Sequence, residues 1–190
     1  MIAQLTGQIT YQDDNFVILD VAGVGYKVFI TAETLVILKD DDGPIKIWTH
    51  LAVRENALDL YGFLEKEELD FFEMLITISG IGPKTALGIL KVASVNILIT
   101  AVSSGDMSYL TKVSGIGQKN AQKIILELKN KIKDIGNGYN MNIKEEVDAI
   151  DAMKTLGYSA KESADALQQI DKSITDIGEK IKQAIKLLGK

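Results

Sequence analysis

Two short segments of this sequence repeat the same residue types in the same order, and those types could bind phosphate. Residues 79–84 contain Ser-Gly-Ile-Gly followed one position later by lysine, and residues 114–119 repeat that pattern 35 positions further along. The match extends to flanking apolar positions, which pair as Leu75 with Leu110, Ala86 with Ala121 and Ile89 with Ile124. A repeat this dense indicates two copies of one local structure.

Each copy predicts a helix, a tight turn and a second helix. Gly80 and Gly115 can adopt the positive φ that ends a helix without steric cost. Gly82 and Gly117 then open the next helix, and Pro83 suits its first turn, where no backbone donor is lost. The free N–H groups and partial positive charge at a helix N-terminus attract anions, and a lysine stands beside each of these termini.

One such turn would bind one phosphate, and two related by a pseudo-twofold axis would hold two phosphates of a nucleic-acid backbone. The candidate phosphate-binding residues are Gly80, Gly82, Lys84, Thr85, Gly115, Gly117, Lys119, Asn120 and Lys123. The alternative is a pair of helical hairpins that use glycine only as turn chemistry. A dinucleotide-binding loop is disfavoured, because its third glycine is absent and a helical pattern precedes the segment.

The distribution of charge allows such a site on a protein whose net charge is −5. Residues 107–133 contain six lysines and one acid, whereas residues 1–63 carry a local charge of −5. One face could therefore be basic while the rest repels phosphate. A solvated lysine-rich helix at 119–133 is the alternative.

The repeated pattern resembles the helix-hairpin-helix DNA-binding motif, whose core is apolar-Gly-apolar-Gly followed by a small or basic residue. That motif contacts phosphates rather than bases, so the resemblance implies binding that does not depend on DNA sequence.

Length and composition set the frame for this site. The chain has 190 residues with 46% apolar and 25% charged content, which fits two or three small domains of an ordinary soluble protein. No apolar run reaches a membrane span and no signal-peptide pattern begins the chain, so we expect a cytoplasmic protein with no membrane association. With no cysteine and one histidine, His50, no metal site, disulfide or cofactor is predicted.

Residues 1–63 predict an N-terminal five-stranded OB-like β-barrel, with a five-stranded sandwich as the alternative. Alternating and apolar runs mark the five strands, at 2–10, 15–21, 24–30, 45–53 and 57–63. A helical turn at 32–38 and an acidic loop at 40–44 separate the third and fourth strands. Arg54, Glu55 and Asn56 form the charged hairpin tip between the last two.

The remainder of the chain predicts helices. Residues 64–134 form the central all-α tandem helix-hairpin-helix domain, with helices at 65–78 and 94–102 and another beginning within 106–111. The Gly- and Asn-rich segment 135–143 is predicted to be a flexible linker. Residues 144–190 predict a C-terminal three-helix module, with Ser159 as an N-cap. The alternative is a helical tail packed on the main body.

The order of barrel, paired hairpins, linker and three-helix module is similar to the RuvA family across the whole chain. The likeness includes Met1-Ile2 entering the first strand, Val53-Arg-Glu55 at the barrel hairpin, residues 60–63, both Gly-Ile-Gly turns and Ala-Met-Lys-Thr-Leu-Gly-Tyr158. The doubled motif is shared by other DNA proteins, whereas its combination with this barrel is specific.

The resemblance implies a non-catalytic subunit that binds Holliday-junction DNA as a homotetramer, possibly an octamer. Its last domain would dock the hexameric AAA+ ATPase RuvB, which drives branch migration, and the nuclease RuvC would resolve the junction. Candidate motor contacts are Met153, Leu156 and Tyr158, which could instead form the core of their own module.

One departure from the family concerns the barrel hairpin. The family carries two adjacent acids there, a pin that keeps strands apart at the crossover. Here the second position is Asn56, so Glu55 keeps one charge. Whether the pin is weaker, or another acid such as Asp59 compensates, is open at this point.

Two other classes of function compete with the junction scaffold. A DNA glycosylase also uses this hairpin, but it places a catalytic Asp after the turn, whereas Glu127 is the sole acid between Gly117 and Asp134. A protein-binding scaffold with incidental hairpins is the other alternative. No P-loop is present, so the chain is not expected to be the ATPase itself.

Overall fold

The computed structural model describes residues 1–38, 43–134, 141–171, 174 and 176–189. The chain divides into two compact units, Met1–Val92 and Ala93–Lys190. The division falls between the two copies of the Gly-Ile-Gly repeat, so each unit contains one of them.

Five strands form a closed barrel in the first unit, which confirms the predicted OB-like barrel. They are β1 (Gln4–Gln12), β2 (Phe16–Val21), β3 (Val24–Phe29), β4 (Ile45–Arg54) and β5 (Ala57–Phe63). The order around the barrel is β1-β2-β3-β5-β4. The β3–β5 pair is parallel and the other pairs are antiparallel.

The barrel interior follows from the alternation of apolar residues along its strands. Val17, Leu19 and Val28 point inward and are fully buried, as is Ile47 on β4. Gly62 is required where strands approach closely, because a Cβ there would lie 2.4 Å from Val28 Cγ1. Sequence alternation on each strand therefore fixes which face fills the core.

A short helix covers one end of the barrel. Helix α1 (Ala32–Leu38) buries Leu35 and Leu38 against the core residues. The Thr31 hydroxyl accepts the Thr34 N–H at 3.1 Å, which caps the first turn. The predicted acidic loop at 40–44 lies largely outside the described residues.

Helix α2 (Lys66–Ile76) leads from the barrel to the first turn. Its Phe72 ring packs among aromatic groups of the barrel, with centroid distances of 4.9 Å to Phe63 and 5.4 Å to His50. His50 Nδ1 lies 3.0 Å from Glu73 Oε1. His50 therefore joins strand β4 to helix α2. Helix α3 (Pro83–Leu90) follows the turn.

The second unit begins with α4 (Val95–Ser104), which ends at Gly105 with φ +77°. A 3-10 helix (Leu110–Lys112) and α5 (Gln118–Asp134) flank the second turn. The helix predicted to begin within 106–111 is this short 3-10 helix, which begins at Leu110. The Asp106 carboxylate accepts the Ser108 N–H at 2.8 Å and its hydroxyl at 3.0 Å, which favours a turn.

Three helices complete the second unit: α6 (Met141–Thr155), α7 (Ala160–Gln168) and α8 (Ile177–Leu188). Met153, Ala166 and Ala184 form their buried centre. Residues 135–140 of the predicted linker lie outside the described residues, and α6 begins at Met141. Lys154 Nζ donates to the Ser103 carbonyl at 3.1 Å, so this helix contacts the end of α4.

The predicted N-cap of α7 is confirmed. Ser159 Oγ accepts the Glu162 N–H at 3.2 Å, and Glu162 Oε2 accepts the Ser159 N–H at 2.9 Å. This reciprocal pair is a capping box.

Within the described ranges, no single helix is long and apolar enough to cross a membrane. Pro83–Leu90 and Val95–Ser104 meet the length and hydropathy criteria as a bent pair.

Candidate nucleic-acid interface

The first Gly-Ile-Gly turn follows helix α2. Gly80 has φ +93°, the left-handed conformation that glycine adopts without strain. The Ile81 N–H donates to the Ile78 carbonyl at 2.9 Å. The Ile81 side chain is buried, as its apolar character within a turn requires.

The second turn repeats this geometry. Gly115 has φ +87°, and the Ile116 N–H donates to the Val113 carbonyl at 3.0 Å. Ile116 is buried in the same way. The two copies therefore share a backbone conformation and a hydrogen bond, although a 3-10 helix precedes the second where α2 precedes the first.

A helix begins at each turn. In the first copy, the backbone N–H groups at the start of that helix receive no side-chain cap. Gly82 is the N-cap of α3 and has no side chain that could accept a hydrogen bond, so the N–H groups of Lys84 and Thr85 remain uncapped by it. The Ala86 N–H donates to the Gly82 carbonyl at 2.9 Å, and the Ala121 N–H donates to the Gly117 carbonyl at the same distance.

The backbone conformation does not require glycine at the second position of the turn. Gly82 has φ −89°, which any residue can adopt, and Gly117 is not among the glycines with positive φ. A Cβ added at either would meet nothing within 4 Å. Absence of a side chain leaves open space directly in front of the helix N-terminus, where a ligand could approach the backbone closely.

The lysines beside the turns differ in what they contact. Lys84 and Lys119 are exposed, and neither forms an ion pair with the part of the chain that the structure describes. Lys123 lies one turn further along α5, with its Nζ 3.6 Å from Glu127 Oε1. The charge of Lys123 is therefore partly offset within the helix, whereas Lys84 and Lys119 can meet an anion directly.

The basic part of the exposed side of α5 lies close to the turn. Lys119 and Lys123 are exposed in its first two turns, whereas the same side continues with the uncharged Leu126 and Asn130. The side chain of Lys133 lies outside the described residues.

A two-residue turn forms the tip of the β4–β5 hairpin. Arg54 lies opposite Ala57 in the strand register, and Glu55 and Asn56 connect them. All three predicted tip residues are exposed. Glu55 forms no ion pair with any described residue, so its carboxylate extends from the tip without a partner.

Asp59 pairs with the arginine of this tip. The Arg54 guanidinium donates to the Asp59 carboxylate, with side-chain exposures of 51% and 18%. Burial raises the pKa of the neighbouring Tyr61 hydroxyl, the Asp59 charge raises it further, and the Arg54 charge lowers it. Both charges of the pair therefore affect the pKa of Tyr61.

Sequence reasoning missed this ion pair and one other feature of the hairpin. Val53 and Leu58 lie opposite each other and are 69% and 71% exposed. Opposite charges on the two sides of a two-residue turn were the available signal for the ion pair. The exposure of Val53 and Leu58 could not be predicted in this way. Both residues lie on the inward-facing side of their strands, so the alternation predicts burial, but they lie beyond the end of the barrel.

The three candidate motor contacts occupy different environments. Met153 is fully buried, and Tyr158 packs partly buried against the same small core. Leu156 is 62% exposed on the turn that follows α6. Of the three, Leu156 has the exposure that a docking contact needs.

The fold and the turns define a class of protein: an OB-type barrel carrying a tandem helix-hairpin-helix and a helical C-terminal module. Family models match in three segments, described as RuvA N terminal domain (residues 1–62), SAM-like Helix-hairpin-helix tandem (72–130) and RuvA, C-terminal domain (146–189). Together they cover most of the chain.

Curated relatives match over the full length. The chain is 41% identical over 191 residues to a protein of Thermoanaerobacter sp. (strain X514) and 37% identical over 201 residues to one of Acetivibrio thermocellus, with 100% of each chain covered. It is 34% identical over 203 residues to a Clostridium perfringens protein, with 99% of each covered. All three carry the name Holliday junction branch migration complex subunit RuvA. The chain belongs to the RuvA family.

Proposed function

We propose that this protein binds four-way DNA junctions through its two Gly-Ile-Gly turns, independently of base sequence. Each turn would place against a backbone phosphate the N-terminal N–H groups of a helix and one lysine that has no ion-pair partner among the described residues. The observation that carries the proposal is the open space in front of Gly82 and Gly117, where neither conformation nor packing requires glycine but a phosphate approaching the backbone does. The curated relatives, named as Holliday junction branch migration complex subunits, support this substrate.

Junction preference would come from the β4–β5 hairpin rather than from the turns. Phosphate contacts at the turns are available to any duplex, so they give affinity without shape discrimination. The exposed Glu55 carboxylate would repel the phosphates of strands that close into continuous duplex, and so penalise linear DNA. A homotetramer with four such hairpins around its axis would place them at the crossover of a junction.

The C-terminal module would dock a motor. In this proposal the chain has no catalytic activity of its own, residues 144–190 contact the RuvB ATPase, and the assembled complex presents the junction to RuvC. Leu156 is the residue we assign to the motor contact, because it is exposed beside a turn, while Met153 and Tyr158 hold the module together.

The proposed domain limits separate the barrel, the phosphate-binding turns and the motor-docking module. We propose a barrel domain at 1–63, a DNA-binding domain at 64–134, a linker at 135–143, whose last three residues already belong to helix α6, and a motor-docking domain at 144–190. The matched family segments end and begin close to these limits.

The test is a gel-shift titration of a four-way junction and of a linear duplex built from the same sequences, at fixed salt. We expect tighter binding to the junction, and similar junction affinity when its base sequence is scrambled. Equal affinity for junction and duplex would reduce the function to generic DNA binding. Glu55→Gln should tighten binding to linear duplex while sparing the junction. Asn56→Asp should weaken binding to linear duplex and so sharpen the preference for the junction.

A further inference from the structure

Two charged residues at the tip of the β4–β5 hairpin and one on the adjoining strand set the net charge that DNA would meet there. Glu55 extends from the turn without an ion-pair partner among the described residues, and Arg54 precedes it in the chain. An arginine beside a glutamate would by itself leave the tip electrically neutral, because the guanidinium stays protonated at all physiological pH values. A neutral tip could not repel phosphate.

Asp59 changes this sum. Its carboxylate accepts a hydrogen bond from the Arg54 guanidinium, and its position on β5 draws the arginine back along the strand, away from the turn. With Arg54 neutralised, the charge of Glu55 is left uncompensated. Asp59 is mostly buried, at 18% side-chain exposure, so of the two acids DNA would meet Glu55 rather than Asp59.

We propose that Asp59 is a positioning residue for junction selectivity, which preserves the negative charge of the hairpin tip by neutralising Arg54. This inference rests on the proposed function of the hairpin. It accounts for a tip that carries one acid rather than two, since Asn56 contributes no charge. Asn56 leaves the turn with one acid fewer than the family pattern. Asp59 compensates by neutralising the positive charge of Arg54, and does not itself place a second negative charge at the turn.

A purely structural role for the ion pair makes different predictions. The Arg54 side chain is half exposed, and ion pairs on a protein surface contribute little to stability. If the pair served only to hold the hairpin, its loss would affect junction and duplex alike. A charge role instead changes the ratio of the two affinities, and does so less at high salt, because salt screens the field of an exposed charge.

The experiment measures junction and duplex dissociation constants for the full-length protein at two salt concentrations, with thermal unfolding of each variant. Asp59→Asn should release Arg54 and tighten duplex binding, lowering the junction-to-duplex selectivity by about threefold, the effect of roughly one screened unit charge near a phosphate. Arg54→Gln should retain the selectivity. The double variant should restore what Asp59→Asn loses, since Glu55 is again uncompensated.

Two further variants separate charge from geometry. Asp59→Glu keeps the charge and should keep the selectivity. Asp14→Asn removes the same charge from an exposed site of the barrel outside the hairpin, in the β1–β2 connection, and should leave the selectivity unchanged.

The outcomes distinguish this inference from the function on which it rests. If Glu55→Gln lowers selectivity but Asp59→Asn does not, or if the double variant stays as unselective as Asp59→Asn, the role of Asp59 is overturned and the repulsive tip stands. If Glu55→Gln leaves selectivity unchanged, the hairpin function itself fails and Asp59 has no charge to preserve. If Asp59→Asn and the double variant both lose selectivity and both unfold at a lower temperature, the role of Asp59 as a positioning residue is also overturned.

Discussion

The N–H of Ala121 donates to the carbonyl of Gly117 over 2.9 Å, and Ala86 bonds to Gly82 over the same distance. This hydrogen bond fixes the first turn of the helix that follows each Gly-Ile-Gly segment. It therefore fixes the direction of the N–H groups that come before it and have no intrahelical acceptor. Two segments in different units thus begin a helix with the same backbone hydrogen bond.

The two glycines of one turn should differ in their response to alanine. Gly115→Ala should lower the free energy of unfolding by about 1–2 kcal/mol, because φ +87° strains a residue with a Cβ. Gly117→Ala should change it by less than about 1 kcal/mol, because its Cβ would meet open space.

DNA binding should show the reverse order. A methyl group at position 117 stands where the phosphate approaches, so Gly117→Ala should weaken binding on the order of tenfold, the loss of one charge-assisted hydrogen bond. Chemical denaturation and junction titration of both variants check this pair. A folded Gly117→Ala protein that binds DNA normally would contradict the close-approach site.

Lys119→Ala should weaken binding equally on all base sequences. It should also reduce the slope of log affinity against log salt by about 1, the release of one counterion. Lys123→Ala should have a smaller effect, because Glu127 already offsets part of its charge. Lys186→Ala, an exposed lysine of α8, is the matched control and should leave the slope unchanged. Sequence-dependent loss in Lys119→Ala would argue for base contacts instead.

Met153 and Leu156 should separate folding of the C-terminal module from motor docking. Met153→Ala leaves a cavity at a fully buried site and should cost about 2–5 kcal/mol of stability. Leu156→Ser replaces an exposed side chain, so its stability should change by no more than about 0.5 kcal/mol. Stimulation of the RuvB ATPase by the Leu156→Ser protein should fall sharply. Full stimulation by that variant would remove Leu156 from the interface.

The capping box of α7 should make the C-terminal module sensitive to acid. Hydrogen bonds from the Ser159 hydroxyl and then from its backbone N–H hold the pKa of Glu162 below its ordinary value. Because the folded pKa is depressed, this stabilisation is present above the unfolded pKa and is lost as pH falls through the folded pKa. NMR titration of the Glu162 carboxyl should show the lowered pKa, and Ser159→Ala should return it towards its ordinary value.

The barrel and the turns could be predicted because local chemistry determines them. Period-two alternation identified Ile45, Ile47 and Thr49 as inward residues of β4, but it failed at Val53, which is 69% exposed. The predicted and observed limits of the strand differ by one residue. Glycine at positions 80 and 115 implied positive φ, and both adopt it. At Ser159 the predicted cap was found because the capping interaction involves residues three apart in sequence.

The remaining features depend on partners that compete with local propensity or lie across the fold. The helix predicted to begin within 106–111 is a 3-10 helix of three residues, Leu110–Lys112, and its short length was not predicted from the sequence. Met153 and Leu156 are apolar residues three positions apart, a spacing that places both on one side of a helix. Tertiary packing alone decides that Met153 is buried and Leu156 exposed. The Arg54–Asp59 pair required knowledge of the hairpin register.

The parallel contact between β3 and β5 closes the barrel, with Val28 opposite Leu60 and Phe29 opposite Tyr61. The β4–β5 and β2–β3 pairs are hairpins of neighbouring strands, whereas this closing pair joins strands with α1 and β4 between them in the chain. Hairpins form early because their loops are short, and a long loop must lose more entropy before its contacts repay it. We expect the hairpins to form first during folding, and the two pairs that join distant strands, β3–β5 and β1–β4, to form after them. The amides of these two pairs should then be among the first in the barrel to exchange with solvent.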